Sequence, residues 1–426
     1  MSTIKNIHAH RILDSRGNPT IEVTITTASH SGTASVPSGA STGIHEALEL
    51  RDHTKSFHGL DVQKAIHNIH HKIKPKLIGK NCTQQAHIDQ IMLNLDNTPN
   101  KSSLGANAIL AVSLACARAA ANSQHIPLYR YLHQLFQKET NMLKALELPH
   151  PFMNIINGGK HAGTKLAMQE FMIVPTGKTF HDSLRMGSEI YHTLKEIIKP
   201  KYGPQAINVG DEGGFAPPLT NAQQALDLLT LAIKKSGYQK QVSIAIDCAA
   251  SEFYNPKNQK YHLHKIMSSQ QLTQYYLDLI KKYPIISIED PFHQEDFHNF
   301  ANLNKLAKHI QIVGDDLTVT NLERIHQATE YNSCSCLLLK LNQIGTLTEA
   351  LHSAAAAYNA DWQVMVSHRS GETEDTFIAD LAVALGCGMI KAGAPCRSER
   401  TAKYNRLLQI EEELTTSKKQ MIKQKN

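Results

Sequence analysis

Beyond about residue 150 the chain repeats one pattern: a short apolar run closed by a polar residue and followed by a helical segment. The runs fall at 171–174, 206–209, 242–246, 285–288, 310–313, 336–339, 364–366 and 389–390. Eight candidate strands alternating with helices predict a closed parallel α/β barrel. The groups that end the last six runs are Asp247, Glu289, Asp315, Lys340, His368 and Lys391. Their intervals suit one strand, one helix and two loops. The first interval is longer and contains Phe253-Tyr254-Asn255-Pro256-Lys257-Asn258 before Tyr261, which reads as an inserted hairpin. A lone Asp after a strand is usually a helix N-cap. Two Lys and a His cap N-termini poorly, so the row as a whole reads as a site at the carboxyl ends of barrel strands.

The first part of the chain has a different texture. Residues 21–26 alternate apolar and polar as a half-buried strand does, and Ser31-Gly32 turns the chain back into 34–36. Helical patterns follow at 45–51, 62–73, 87–95 and 106–121. The Leu-Pro-His-Pro stretch ending at Pro151 marks a boundary. The expected organisation is therefore an α+β domain over 1–140 and the barrel over 141–426.

Composition excludes several classes. No apolar stretch reaches the roughly 18 residues of a membrane span, and the N-terminal residues have no apolar signal core, so a cytoplasmic protein is expected. The seven cysteines form no CxxC pair; Cys334 and Cys336 lie just before the apolar run 337–339, where small thiols fit a buried strand, and read as reduced, structural thiols. The net charge of +6 is dispersed except for Lys418, Lys419, Lys423 and Lys425 in the tail. With 6% aromatics and no interleaving of rings and basic groups, nucleic acid is not expected as the primary ligand. His67, His70 and His71 share a helix face without acidic or Cys partners and read as a solvated face rather than a zinc site.

The strand-end groups suggest chemistry. Asp247, Glu289 and Asp315 converging on one cavity would repel one another and bind protons or a cation; all-oxygen donors with room for substrate favour Mg²⁺. Because neighbouring strand side chains point to opposite faces, only one of each pair Glu289/Asp290 and Asp315/Asp316 is expected to enter the barrel. Lys340 lies within an apolar run. It reads either as the partner of a buried carboxylate or, with its pKa lowered by metal ions and the Lys391 ammonium, as a base. Asn208-Val209-Gly210-Asp211-Glu212-Gly213-Gly214 offers a loop carboxyl as a general acid. Arg369 and Ser370 after His368 suit a phosphate. Ser38-Gly39-Ala40-Ser41-Thr42-Gly43 is a hydroxyl-rich loop without P-loop spacing, so nucleotide binding is not supported. Together these residues suggest Mg²⁺-assisted proton abstraction or elimination on a phosphorylated acid.

The chain also resembles the enolase family from about Ile7 to Leu414. The matching stretches include Leu13-Asp14-Ser15-Arg16-Gly17-Asn18-Pro19-Thr20, the 38–43 loop running into His45-Glu46-Ala47, Leu104-Gly105-Ala106-Asn107-Ala108, and the barrel segments 210–214, 287–291, 314–317, 339–345, 367–376, 393–395 and 397–400. Departures are peripheral; Ala392 stands beside Lys391 where Thr is frequent. The resemblance implies an α+β domain capping a barrel that opens with two strands and two helices. It implies reversible dehydration of 2-phosphoglycerate to phosphoenolpyruvate on two Mg²⁺ ions per site, the second arriving with substrate. Asp247, Glu289 and Asp315 would hold the first ion, and Ser41 would aid the second. Lys340 would take the C2 proton and Glu212 would protonate the leaving C3 hydroxyl. Arg369 and Ser370 would hold the phosphate and Lys391 the carboxylate, with His161, Gln169, Glu170 and His368 lining the pocket. A homodimer or ring of dimers is implied too, with room for a secondary cell-surface or secreted pool lacking a signal peptide.

Overall fold

The computed structural model describes residues 2–425, with side chains described through residue 416; the tail lysines Lys418, Lys419, Lys423 and Lys425 lie outside the described side chains. The chain opens with an antiparallel meander of β1 (Asn6–Leu13), β2 (Pro19–Thr26) and β3 (Ser31–Ser35). Ile21, Val23 and Ile25 alternate inward on β2 and are fully buried, as the period-two pattern requires. Five helices follow: α1 (Gln63–Asn68), α2 (Lys74–Leu77), α3 (Gln85–Asp96), α4 (Ala106–Ser123) and α5 (Leu128–Thr140). The Ala-rich α4 lies directly on the meander. Gly32 permits this, since a Cβ there would fall 2.1 Å from the Ala119 amide nitrogen. A π-helical turn at Ile69–Ile73 joins α1 to α2, and His70 in it accepts a hydrogen bond from the Ala9 amide at 3.0 Å, so this histidine fixes a strand edge.

The barrel closes in the order β4 (His150–Asn157), β5 (Glu170–Pro175), β6 (Val242–Asp247), β10 (Ile285–Glu289), β11 (Gln311–Gly314), β12 (Cys336–Leu339), β13 (Gln363–Ser367) and β14 (Met389–Lys391), which pairs back onto β4. Helices α6 (Phe180–Tyr202) and α7 (Ala222–Lys235) intervene between β5 and β6. A small sheet of β7 (Tyr254–Asn255), β8 (Lys260–His262) and β9 (Ile266–Met267) supplies the expected insertion. The regular alternation continues with α8 (Ser269–Lys282), α9 (Phe297–Leu306), α10 (Leu322–Glu330), the short α11 (Leu341–Ile344), α12 (Leu347–Asn359), α13 (Phe377–Leu385) and α14 (Ser398–Lys425). Phe152, Met172, Val174, Ala245, Val313, Cys336, Leu338, Met365 and Met389 fill the lumen as a separate apolar plug. The seven cysteines are free.

Three sequence expectations need correction. The run 206–209 is not a strand: Pro204–Ile207 is a 3-10 turn. The missing barrel strand is β4, hidden in the stretch read as a boundary. The barrel is also not wholly parallel, because β5 runs antiparallel to both β4 and β6, as the two-strand, two-helix opening demands. The region 45–51 is irregular rather than helical. No helix among the described residues is long and apolar enough to cross a membrane.

Candidate active site

The antiparallel direction of β5 has a direct consequence for the site. Its first residue, Glu170, lies at the same end of the barrel as the carboxyl termini of its neighbours, in register with Asn157 on one side and Asp247 on the other. Asp247, Glu289 and Lys391 end β6, β10 and β14 at that same rim. Lys391 Nζ gathers them: it lies 3.0 Å from Glu170 Oε2 and Asp247 Oδ2 and 2.9 Å from Glu289. Burial, then repulsion from Asp247, holds the Glu289 carboxyl well above the usual range. Burial and Glu212 do the same to Glu170. Against burial, Asp247, Glu170 and Glu289 hold Lys391 firmly protonated.

A second charged group stands at β11 and β12. Lys340 Nζ lies 2.5 Å from Asp315 Oδ2, and Gln343 Nε2 donates to Asp315 Oδ1 at 2.8 Å. The Lys340 pKa, expected to fall beside metal ions, is governed in this arrangement by its carboxylate partner. Burial lowers it, but the facing Asp315 carboxylate outweighs burial and the repulsion of Arg369 and Lys391, and the net direction is up. The expectation that only one of each acidic pair enters the cavity fails for Asp315/Asp316; of Glu289/Asp290 only Asp290 lines it. Asp290, Asp315 and Asp316 all line it, because Asp290 follows the end of β10 with a left-handed φ of 42° and the Asp315–Asp316 pair lies beyond β11, where strand alternation no longer applies. Asp290 accepts the Asp315 and Asp316 amides at 2.9 and 2.8 Å, so it shapes this corner. Burial and Asp315 push Asp316 up to about 8.

Across the cavity, Glu212 is carried on the 210–214 turn. Cβ atoms at Gly210 and Gly214 would fall 2.4 Å from His161 O and Asn157 Oδ1, so the turn packs only as glycine. Asn154 Nδ2 donates to Glu212 Oε2 at 2.8 Å, and His161 Nδ1 and His368 Nε2 each lie 3.5 Å from the same carboxyl. Burial raises Glu212, but His368, His161 and Arg400 draw it below the carboxylate range. Burial takes His368 down to about 4, so the pull requires an imidazolium that burial opposes, and the two groups titrate as a unit. Arg369 is gripped through both nitrogens by Glu46 at 2.9 and 3.1 Å and also touches Asn342. Ser370 Oγ accepts the Ala40 amide, and Ser41 Oγ donates to Glu252, which also pairs with Lys160. The 38–43 loop is thus latched over the cavity, leaving about 20 Å³, room for roughly one water.

The structure therefore brings Ser41, His161, Gln169, Glu170, Glu212, Asp247, Asp315, Lys340, His368, Arg369, Ser370 and Lys391 around one cavity; Glu289 does not line it and pairs with Lys391. Among the described residues, the groups that could hold one ion together are His161/Glu170/Glu212 and Asp290/Asp315/Asp316, whereas Asp247 and Glu289 here share the Lys391 ammonium. The carboxylates outnumber the cations, and an acid near pKa 8 records that deficit, so the donor set suits a hard divalent ion. Glu46, Asn154, Gln343 and Asp290 were not singled out as site groups from sequence. Only the acidic pair at 289–290 carried a signal; the others are joined by tertiary contacts.

Fold and site define an enzyme class: a capped barrel whose rim gathers buried carboxylates, ammonium groups and histidines on one cavity, with a donor set that suits a cation. An enolase N-terminal domain model matches residues 4–132, and an enolase C-terminal TIM barrel domain model matches residues 145–425. The enolase of Methanocaldococcus jannaschii is 56% identical over 418 residues, covering 97% of this chain and 96% of that protein. The enolase of Mastigamoeba balamuthi and enolase 1 of Entamoeba histolytica are each 53% identical with the same coverage. The chain belongs to the enolase family, is a lyase, and uses a divalent metal.

Proposed function

We propose that this cavity dehydrates 2-phosphoglycerate to phosphoenolpyruvate, reversibly, with Lys340 as base and Glu212 as acid. The observation that carries the assignment of roles is their placement. The Lys340 ammonium and the Glu212 carboxyl both line one small cavity, Lys340 after β12 and Glu212 bonded to Asn154 of β4, with Lys391 of β14 between them in the barrel order. Substrate bound with its C2 hydrogen toward Lys340 and its C3 hydroxyl toward Glu212 loses a proton to one and water with a proton from the other, forming the C2–C3 double bond. The base must reach its working form by losing the Asp315 contact that now keeps it protonated.

Asp247, Glu289 and Asp315 are the proposed ligands of a first Mg²⁺, with Ser41 assisting a second that accompanies substrate. Bound Mg²⁺ supplies electrostatic stabilisation for the dianion that proton loss beside a carboxylate creates. Lys391 adds its own charge there. Arg369 and Ser370 face the proposed phosphate position, and His161, Gln169, Glu170 and His368 complete the wall. His161 Nδ1, Gln169 Oε1 and His368 Nε2 are buried without hydrogen-bond partners, as polar groups awaiting a ligand would be. The latched 38–43 loop must lift to admit substrate and then excludes water on closing.

The proposal extends to a cap over 1–140, a barrel over 141–426, a homodimer or ring of dimers, and a cytoplasmic protein with a secondary surface pool. The test of the activity is the ultraviolet absorbance of phosphoenolpyruvate forming from 2-phosphoglycerate. The signal is expected with Mg²⁺ and is expected to vanish with EDTA; silence in the Mg²⁺ sample overturns the reading.

A further inference from the structure

The stretch Arg397-Ser398-Glu399-Arg400 plays no part in the chemistry above, yet it places a charged side chain where charge is costly. Arg400, in the first turns of α14, is fully buried. One of its terminal nitrogens, NH1, lies 2.6 Å from His368 Nδ1 and 2.5 Å from the Arg369 carbonyl oxygen. The other, NH2, donates to the Ser370 carbonyl at 2.5 Å and the Asp211 carbonyl at 3.1 Å. One guanidinium therefore ties together three consecutive pocket residues and the turn that carries Glu212.

The chemistry of the donor fixes the tautomer. A guanidinium only donates, so His368 Nδ1 must present its lone pair to Arg400, and the ring proton must sit on Nε2. That nitrogen is buried without a hydrogen-bond partner and lies 3.5 Å from Glu212 Oε2, so its N–H is aimed at the acid and the cavity. The opposite tautomer would set two donors against each other at 2.6 Å. We infer that Arg400 is a positioning residue that holds His368 with its proton on Nε2 and keeps the 368–370 segment in one frame with the Glu212 turn.

A lysine could not replace it, since one ammonium lacks the planar fork that reaches four acceptors in two segments. Neighbours on α14 do different work: Lys403 holds Glu372 and the Thr373 carbonyl, and Tyr404 holds the Gly393 carbonyl. Tyr404→Phe therefore loosens the same helix without touching His368, and serves as the control.

The inference rests on the proposed reaction for its consequence, but its primary readout needs no substrate. Long-range proton–nitrogen spectra of full-length protein carrying ¹⁵N-histidine, with His368 identified by its loss in His368→Gln, report which ring nitrogen is protonated. The expected wild-type result is Nε2–H from about pH 6 to 8, and Arg400→Met is expected to lose it to Nδ1–H or a mixture. Arg400→Lys is expected to lower kcat about 10²-fold, the order of a misplaced catalytic group, with KM changed far less. Tyr404→Phe should keep both tautomer and kcat within a few-fold. An Nδ1–H signal in the wild type overturns the inference, as does an unchanged Nε2–H signal in Arg400→Met. If Arg400→Met does not fold, the wild-type spectrum still decides. Inactivity on 2-phosphoglycerate with the expected tautomer would count against the proposed reaction alone.

Discussion

Lys340 and Glu212 reach the cavity by different routes, one at the end of a strand and the other on a glycine turn, and their separate positions make their roles separable. Lys340→Ala removes the amine proposed to face C2. It is expected to lose both dehydration and the exchange of the C2 proton with deuterated solvent, with a rate loss of about 10²–10⁴-fold, typical of general acid–base groups. Glu212→Gln leaves Lys340 in place and is expected to abolish dehydration while preserving measurable exchange. Robust exchange in Lys340→Ala would refute its role as base. These two residues were legible because a charge closing an apolar run, or a carboxyl among glycines, is locally conspicuous. Glu46 was not. It is an ordinary carboxylate on an irregular segment, and only the fold carries it to Arg369, 2.9 Å away. The direction of the Lys340 pKa was likewise beyond a one-dimensional reading, because it turns on which carboxylate the ammonium faces.

At the scale of elements, the later barrel was legible and its opening was not. From β6 onward each apolar run, polar end and helix repeats on schedule. β4 begins His150-Pro151 directly after the cap, so its proline masks it as a boundary, and strand direction leaves no mark in composition that could show β5 to be antiparallel. The run 206–209 has the apolar character of a strand but follows Gly203-Pro204 and closes as a single 3-10 turn. The segment 45–51 looks helical in pattern and is held irregular by tertiary bonds, including Arg51 to the Pro19 and Leu60 carbonyls; such contacts routinely override propensity. One junction between elements makes a prediction of its own. Asp290 links the ends of β10 and β11 through the Asp315 and Asp316 amides, so Asp290→Asn sets an amide N–H against a backbone donor and misaims Asp315. The expected outcome is a 10–100-fold rise in the Mg²⁺ concentration for half-maximal activity, the usual cost of disturbing an outer-shell partner. An unchanged Mg²⁺ titration would remove Asp290 from that role.

The cap and the barrel are joined by partly buried polar contacts as well as apolar packing. Arg118 pairs with Asp375 through both nitrogens at 2.7 and 2.6 Å, and Lys101 reaches Glu349 at 2.9 Å. The most constrained of these contacts is Asp89 on α3, which accepts from Gln85 at 3.0 Å and from the backbone and hydroxyl of Thr348 on α12 at 3.0 and 2.6 Å. Burial pushes this carboxyl up to about 6, and the hydrogen bonds from Thr348, Ser113 and Gln85 only partly offset it. The sign follows from linkage. An acid whose folded pKa exceeds its unfolded value binds more protons in the native state between the two, so the junction loses stability as pH rises from about 4 to about 6 and stays at its lower value above that. Two pH units of displacement correspond to about 3 kcal/mol, large against the marginal stability of a folded chain. Asp89→Asn cannot ionise, so the difference in unfolding midpoint between wild type and variant should drift in the variant's favour as pH rises through this window and level off above about 6.5. Thermal unfolding at matched protein concentration from pH 4.5 to 7.5 measures that drift. A difference independent of pH would mean that Asp89 ionises in the fold as readily as in water, and that this junction adds no pH dependence to the union of cap and barrel.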